Sequence, residues 1–290
     1  MCPTPPADSI DDDKRRRAYQ AGSRLARDRI ERDAPLDAAA LRAVEANDIV
    51  VVPGSYDHVE LVLDALGLPY RQVMPDQLRR VQLRPEQLLV VNCPGHLDAP
   101  DIVRVRDFVT AGGTLFSTDW ALRNLIEPAF PGVLAYNDTP TTDAVVRIEI
   151  RDPDSPYLRG VLDAGEDPQW WLEGSSYPIC ILDGSLVRVL ISSKELGMKW
   201  GEPSVAVVFP HGEGEVFHMI SHHYLQRTEL RSDRHRAGAA TYWAEKGVAM
   251  SAGAAGMTAD LRLGEVEAAQ TSARLFANIV ADKKRKQRPE

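Results

Sequence analysis

Cysteine is scarce in this sequence. The 290 residues hold three, Cys2, Cys93 and Cys180, too few and too scattered for a disulfide framework or a cysteine-based zinc site. Long apolar runs are missing too. None approaches the roughly 20 residues that span a bilayer, so no membrane segment is expected. Met1 to Arg17 is acidic and then basic, without an apolar stretch, so no secretory leader is visible and a cytoplasmic location is the expectation. Positive charge is in deficit: 34 Lys and Arg against 42 Asp and Glu leave a net charge of -8. General nucleic-acid binding needs clustered Lys and Arg, and that partner class is set aside. Glycine-rich phosphate loops and internal repeats are also absent.

What is present is a globular balance, 44% hydrophobic and 26% charged, in a chain long enough for a substantial core. Residues 1–12 are rich in Pro and Asp and read as a disordered tail. Residues 13–33 are charged and Pro-free, with Tyr19, Gly22, Leu25 and Ala26 as a thin apolar stripe, and read as a peripheral helix. From Asp48 the texture changes. Ile49 to Val52 is a continuous apolar run closed by Pro53-Gly54, the mark of a buried parallel strand. Val59, Val62, Leu63 and Leu66 recur with helical spacing, Asp57 stands at the N-cap position, and Gly67 closes the helix. Pro69–Met74, Gln87–Cys93 and Thr114–Thr118 read as further strands, with helices starting near Asp98 and Trp120. Val146, Ile148 and Ile150 alternate with charged residues as one half-buried strand. Short strands follow at 178–182 and 186–191, then a hairpin around Pro210–Gly214 and a final helix ending in Lys283–Lys286.

Helices alternating with apolar strands imply a flavodoxin-like three-layer α/β sandwich with a mostly parallel sheet. A β-rich insertion at about 140–202 and a C-terminal helix complete it, with residues 13–290 read as one domain. In such sheets ligands sit beyond the carboxyl ends of the strands. The segments there carry Tyr56, Asp57, His58, Asn92, Cys93, Thr118, Asp119 and Trp120.

Three stretches carry a resemblance: Asn92-Cys-Pro-Gly95, Asp107 through Gly112-Gly113 to Leu115, and Gly212 to His222. In order and spacing, the span from Asp48 to about Tyr224 resembles the class I glutamine-amidotransferase-like superfamily, its degenerate ThuA-like branches in particular. The resemblance implies a nucleophilic cysteine on the sharp turn after the strand at 114–118 and a histidine at the end of the late strand. Here the turn reads Ser117-Thr-Asp-Trp120, and Asp119 or Thr118 stands in the cysteine's place. An aspartate cannot form the thioester of glutamine hydrolysis, so no glutaminase activity is expected.

Cys93 lies in a suggestive Cys-Pro-Gly-His string, but one strand too early, and Pro94 removes an amide an oxyanion would need. His222 matches the late histidine; strand alternation puts His218 on its face and His223 on the other. His218 and His222 with Asp119 or His58 have the chemistry for zinc or iron. A histidine near a strand end is more often a structural hydrogen-bonding residue, so no metal or other cofactor is expected. Asp119 either pairs with His222 for acid–base chemistry or caps the helix at Trp120. Trp170, Trp171, Trp200 and Tyr177 read as core or as a platform for a sugar or protein. Lys283–Lys286 reads as a solvated helix end. The expected function is a non-glutaminase module that binds a small ligand or a protein partner, and a homo-oligomer is compatible with it. The alternative is a hydrolase or carbohydrate-processing enzyme using Asp119 and His222.

Overall fold

The computed structural model describes residues 9–163, 165–224 and 227–287. In chain order the elements are α1 (Ser9–Asp33), α2 (Pro35–Arg42), β1 (Ile49–Val52), α3 (Val59–Leu66), β2 (Arg71–Gln72), β3 (Leu88–Val91), α4 (Ala99–Thr110), β4 (Thr114–Thr118), α5 (Glu127–Ala129), β5 (Leu134–Tyr136), β6 (Ala144–Arg147), β7 (Glu149–Ile150), β8 (Gln169–Leu172), β9 (Ile179–Ile181), β10 (Arg188–Ser192), α6 (Lys194–Trp200), β11 (Ser204–His211), β12 (Gly214–Met219), α7 (Asp233–Arg236), α8 (Ala239–Glu245), α9 (Ala252–Thr258) and α10 (Leu263–Lys286). A π-helical turn, Leu122–Ile126, joins β4 to α5.

Among the described residues, eight strands form one sheet in the order β2-β1-β3-β4-β12-β11-β10-β7. The first five run parallel and the last three alternate in direction. Every residue of β1, β3 and β4 is buried, as expected for strands covered on both faces. Helices α1, α2, α3 and α10 pack together over one face, and α4 with α5 over the other. The fold is the expected flavodoxin-like sandwich with a C-terminal helix. The strand expected at 146–150 divides: β6 pairs with β8 in a small sheet of its own, while β7 joins the edge of the main sheet.

Two expectations change at the termini. The helix expected from residue 13 begins at Ser9, inside the expected tail, whose residues 1–8 lie outside the described residues. Nor is α1 peripheral: Ala18, Tyr19, Ala21, Leu25, Ala26 and Ile30 are buried, and the helix lies along α10. Small residues make this approach close. A Cβ on Gly22 would stand 2.6 Å from the backbone nitrogen of Gln270 and 2.9 Å from the carbonyl carbon of Ala269. The thin apolar stripe was thus a close-packing seam, which needs small rather than many apolar side chains. The basic end of α10 is tied down rather than solvated. Lys283 donates to the carbonyls of Pro85 and Gly112, each at 2.6 Å, Lys284 pairs with Asp48 and Lys286 with Glu215, also at 2.6 Å. These partners lie at the amino ends of the parallel strands, so the tail anchors the helix across the bottom of the sheet.

Because neither backbone can yield at the seam, Gly22→Val is expected to cost about 2–3 kcal/mol through overpacking. Urea denaturation checks it, and a midpoint equal to that of the wild type would show that the helices separate without cost.

Candidate functional site

The site is built at the carboxyl end of the parallel strands. Strand β4 ends at Thr118, and Asp119 turns the chain with φ 47, a left-handed conformation that aspartate tolerates better than most side chains. Its amide donates to the Met219 carbonyl at 2.9 Å, fixing the turn to β12. The carboxylate does not cap the following helix. It reaches inward: Oδ1 accepts the Tyr177 amide at 2.9 Å and Oδ2 the Ser176 hydroxyl at 3.3 Å. Burial pushes this carboxyl up to about 6, against the charge of His222 and the donors at 176–177, which pull it down.

Strand β3 is the immediate neighbour of β4, with Val91 opposite Ser117, so the turns after them emerge side by side. The placement one strand early is thereby undone in space. The Cys93 amide donates to Thr118 Oγ1 at 3.1 Å, and Cys93 Sγ lies 3.9 Å from Asp119 Oδ2. Gly54 makes room for this turn, since a Cβ there would meet the Cys93 carbonyl oxygen at 1.9 Å. The thiol is 1% exposed, and burial together with the Asp119 charge pushes it far up from its ordinary value. Cys93 is thus a buried, protonated thiol, without the thiolate character a nucleophile needs.

Strand β12 ends at Met219, and Ser221 has φ 60, so strand alternation stops before His222. The expected sharing of a face by His218 and His222 fails for this reason. His218 stays in the sheet opposite Ser117, with Nδ1 2.9 Å from its Oγ, and burial lowers it to about 3. His222 turns toward Asp119: Nε2 lies 3.7 Å from Asp119 Oδ2, while Nδ1 pairs with Glu173. Burial works against its charge, but the bond to Glu173 and the charges of Asp57, Glu173 and Asp119 prevail and raise it to about 9. Glu173 comes from the segment after β8 and was not singled out in the sequence. Nothing local marks it, because its partners are 48 and 49 residues away: its amide donates to Ser221 Oγ at 2.9 Å, and its carboxylate holds His222.

The other expected site residues divide into separate groups. Asp57 does not cap α3. Its carboxylate accepts the amides of His58, His223 and Tyr224 at 2.8, 2.8 and 3.1 Å. His58 and Asn92 meet on Glu60, at 3.1 and 2.7 Å, which is another residue the sequence did not mark. The His223 ring is buried among Phe116, Phe276 and Trp170, where burial lowers it to about 4. It is a core residue. The expected tryptophan platform also disperses. Trp170 is in the core with its indole on the Ile220 carbonyl, and Trp171 pairs with Asp143. Instead Tyr56, Trp120, Tyr177 and Tyr136 form a chain of rings, with centroids 5.2, 5.6 and 3.8 Å apart in turn. Tyr56 is 53% exposed.

Cys93, Asp119 and His222 thus converge, each no more than 5% exposed, with Glu173 leading to solvent and the ring chain beside them. A cleft of 530 Å³ lined by Arg79, Arg80, Arg104 and Asp107 lies at the opposite end of β3 and β4 and holds none of these groups.

Two outcomes are expected from this geometry. Asp57→Ala leaves three amides without an acceptor and should cost about 3 kcal/mol or more; a loss under about 1 kcal/mol in urea denaturation would contradict the role assigned to it. His218 is depressed from 6.5 to about 3, so between those values the unfolded chain takes up a proton that the folded chain refuses. Its contribution is intact above pH 6.5 and is lost as pH falls toward 3, by roughly 1.4 kcal/mol per unit. His218→Gln should therefore flatten the decline in urea midpoint between about pH 6.5 and about pH 4.5, and an unchanged slope would refute this assignment.

No protein-family model matches the chain, and no curated protein does. Among solved structures it is similar to a cold-adapted β-galactosidase from Rahnella sp. R3, at 15% identity and TM-score 0.45 over 65% of this chain and 30% of that one. It is similar to a GMP synthase component from Thermoplasma acidophilum, at 14% identity and TM-score 0.43 over 60% and 83%. A ThuA-like protein from Bacteroides uniformis gives 10% identity and TM-score 0.42 over 61% and 82%. The chain spans about a third of the length of the glycosidases it matches, 31% and 30%. These likenesses are of fold alone and carry no argument about activity.

Proposed function

We propose that this protein is a non-glutaminase binding module that takes a small ring-bearing molecule, a sugar or an aromatic compound, against the face formed by Tyr56, Trp120, Tyr177 and Tyr136. The observation that carries the reading is the contrast between two neighbouring parts of one strand-end region. The chemistry-bearing groups are buried, whereas the rings beside them are partly open to solvent. Trp120 is held in orientation by its indole bond to the Ser175 carbonyl at 2.7 Å. The Arg123 guanidinium lies 5.7 Å from the Tyr136 ring centre, adding a positive edge. Oriented rings bury ligand area at little entropic cost.

A hydrolase built on Asp119 and His222 is the second reading. The left-handed backbone of Asp119 at the turn after β4 and the His222–Glu173 pair favour it, since such strain gathers at functional sites. A panel of monosaccharides, nucleosides and aromatic acids distinguishes the two, titrated against tryptophan emission. The binding reading expects a saturable shift that Trp120→Ala removes and Asp119→Asn retains. It fails if no probe shifts the emission. Release of product from glutamine or from nitrophenyl esters and glycosides, lost in Asp119→Asn, would put the hydrolase in its place.

A further inference from the structure

We propose that Cys93, Asp119 and His222 form a binding site for a divalent, zinc-type metal ion. Their ligand atoms lie within 4.8 Å of one another. The separations of 3.9 Å from Cys93 Sγ to Asp119 Oδ2 and 3.7 Å from His222 Nε2 to Asp119 Oδ2 are too long for strong direct hydrogen bonds. They lie at or slightly beyond the edge of a coordination tetrahedron, since zinc bonds of about 2.0–2.3 Å give edges of roughly 3.3–3.8 Å, and a small inward movement of the side chains would complete it. The three groups thus gather around Asp119 Oδ2 without short bonds among them.

The atoms around them are arranged as ligands require. Glu173 takes Nδ1 of His222, which leaves Nε2 facing the cluster, and a carboxylate on the far nitrogen is the usual support of a metal-bound imidazole. The Tyr177 amide holds Asp119 Oδ1, leaving Oδ2 as the oxygen turned toward both Sγ and Nε2. Thiolate, imidazole and carboxylate together favour zinc over magnesium or calcium, which take oxygen ligands. Three protein ligands leave the fourth position of a tetrahedral ion for an exchangeable molecule. On binding, the thiol and Nε2 of the His222 imidazolium each give a proton to solvent, so that Nε2 coordinates through the lone pair this frees, while the Nδ1 proton stays on the bond to Glu173. The sequence placed His218 beside His222; the adjacency of β3 and β4 puts Cys93 there instead. The site does not depend on the ring-face reading.

The test uses the full chain, stripped with a chelator, given zinc(II) or cobalt(II), and desalted. About one ion per chain should be retained, and the cobalt form should show a near-ultraviolet thiolate-to-metal absorption with strong visible bands of a four-coordinate ion. Cys93→Ala should remove the thiolate absorption, and Cys180→Ser should leave it unchanged. Glu173→Gln, outside the ligand set, should weaken zinc binding about 10- to 100-fold; circular dichroism confirms that each variant is folded. Should Cys93→Ala fail to fold, the Glu173→Gln and Cys180→Ser comparisons decide. The proposal is overturned if the wild type retains no ion, if bound cobalt shows no thiolate absorption, if that absorption follows Cys180, or if Glu173→Gln binds zinc as the wild type does. None of these readouts involves a sugar or aromatic probe, so the ring-face reading can fail without affecting them.

Discussion

The backbone of one residue, His223, holds the carboxyl end of the sheet together. Its amide is accepted by Asp57, on the turn after β1. Its carbonyl accepts the hydroxyls of Tyr19 in α1 and Ser272 in α10. A buried peptide left without partners is costly, and these partners come from three distant parts of the sequence. The satisfaction of this one residue's amide and carbonyl therefore requires β1, β12, α1 and α10 to be assembled at once. His222 is the residue just before it, so its direction toward Asp119 follows from the anchoring of its neighbour. The His223 ring, filling the space between Phe116, Phe276 and Trp170, secures the same point from the core.

This arrangement explains what was and was not legible in the sequence. Strands β1, β3 and β4 were visible because each is a short apolar run with a turn signal beside it, as in Ile49–Val52 before Pro53-Gly54. Helix α3 was visible from its spacing and from Gly67, which takes the left-handed C-cap. The alternating stretch at 146–150 misled because period two says that a segment is extended, not which sheet it enters. At the site, Asp119, Cys93 and His222 were each picked out, and Asp119 was set with His222, but Cys93 was not grouped with them. The order of strands in the sheet is a long-range property, and it alone makes Cys93 a neighbour of Asp119. Glu173 and Glu60 were missed because a carboxylate on a loop has no local signature when its partner is tens of residues away. Asp57 and Asp119 both looked like helix caps. Local pattern cannot tell an aspartate that caps its own helix from one that accepts amides from another segment.

The buried cluster holds more negative than positive groups. Asp57, Asp119 and Glu173 all raise the proton affinity of His222, the one basic side chain named among them. Three backbone amides satisfy Asp57 and donors at 176–177 satisfy Asp119, so the excess is borne by oriented dipoles rather than by further cations. Such a region is rigid by construction, since movement of any donor leaves a carboxylate bare. The ring chain beside it inherits that rigidity, because Trp120 follows Asp119 and Tyr177 supplies one of its amides.

The two ends of the large sheet are each closed by a strand of only two residues, β2 and β7. Long unpaired edges invite another chain to add a strand, and very short ones give it little to register against. Self-association through sheet extension is thereby disfavoured. Short ends of this kind leave contact between copies to side chains on helices and loops rather than to the large sheet, a mode that surface substitutions can tune without touching it.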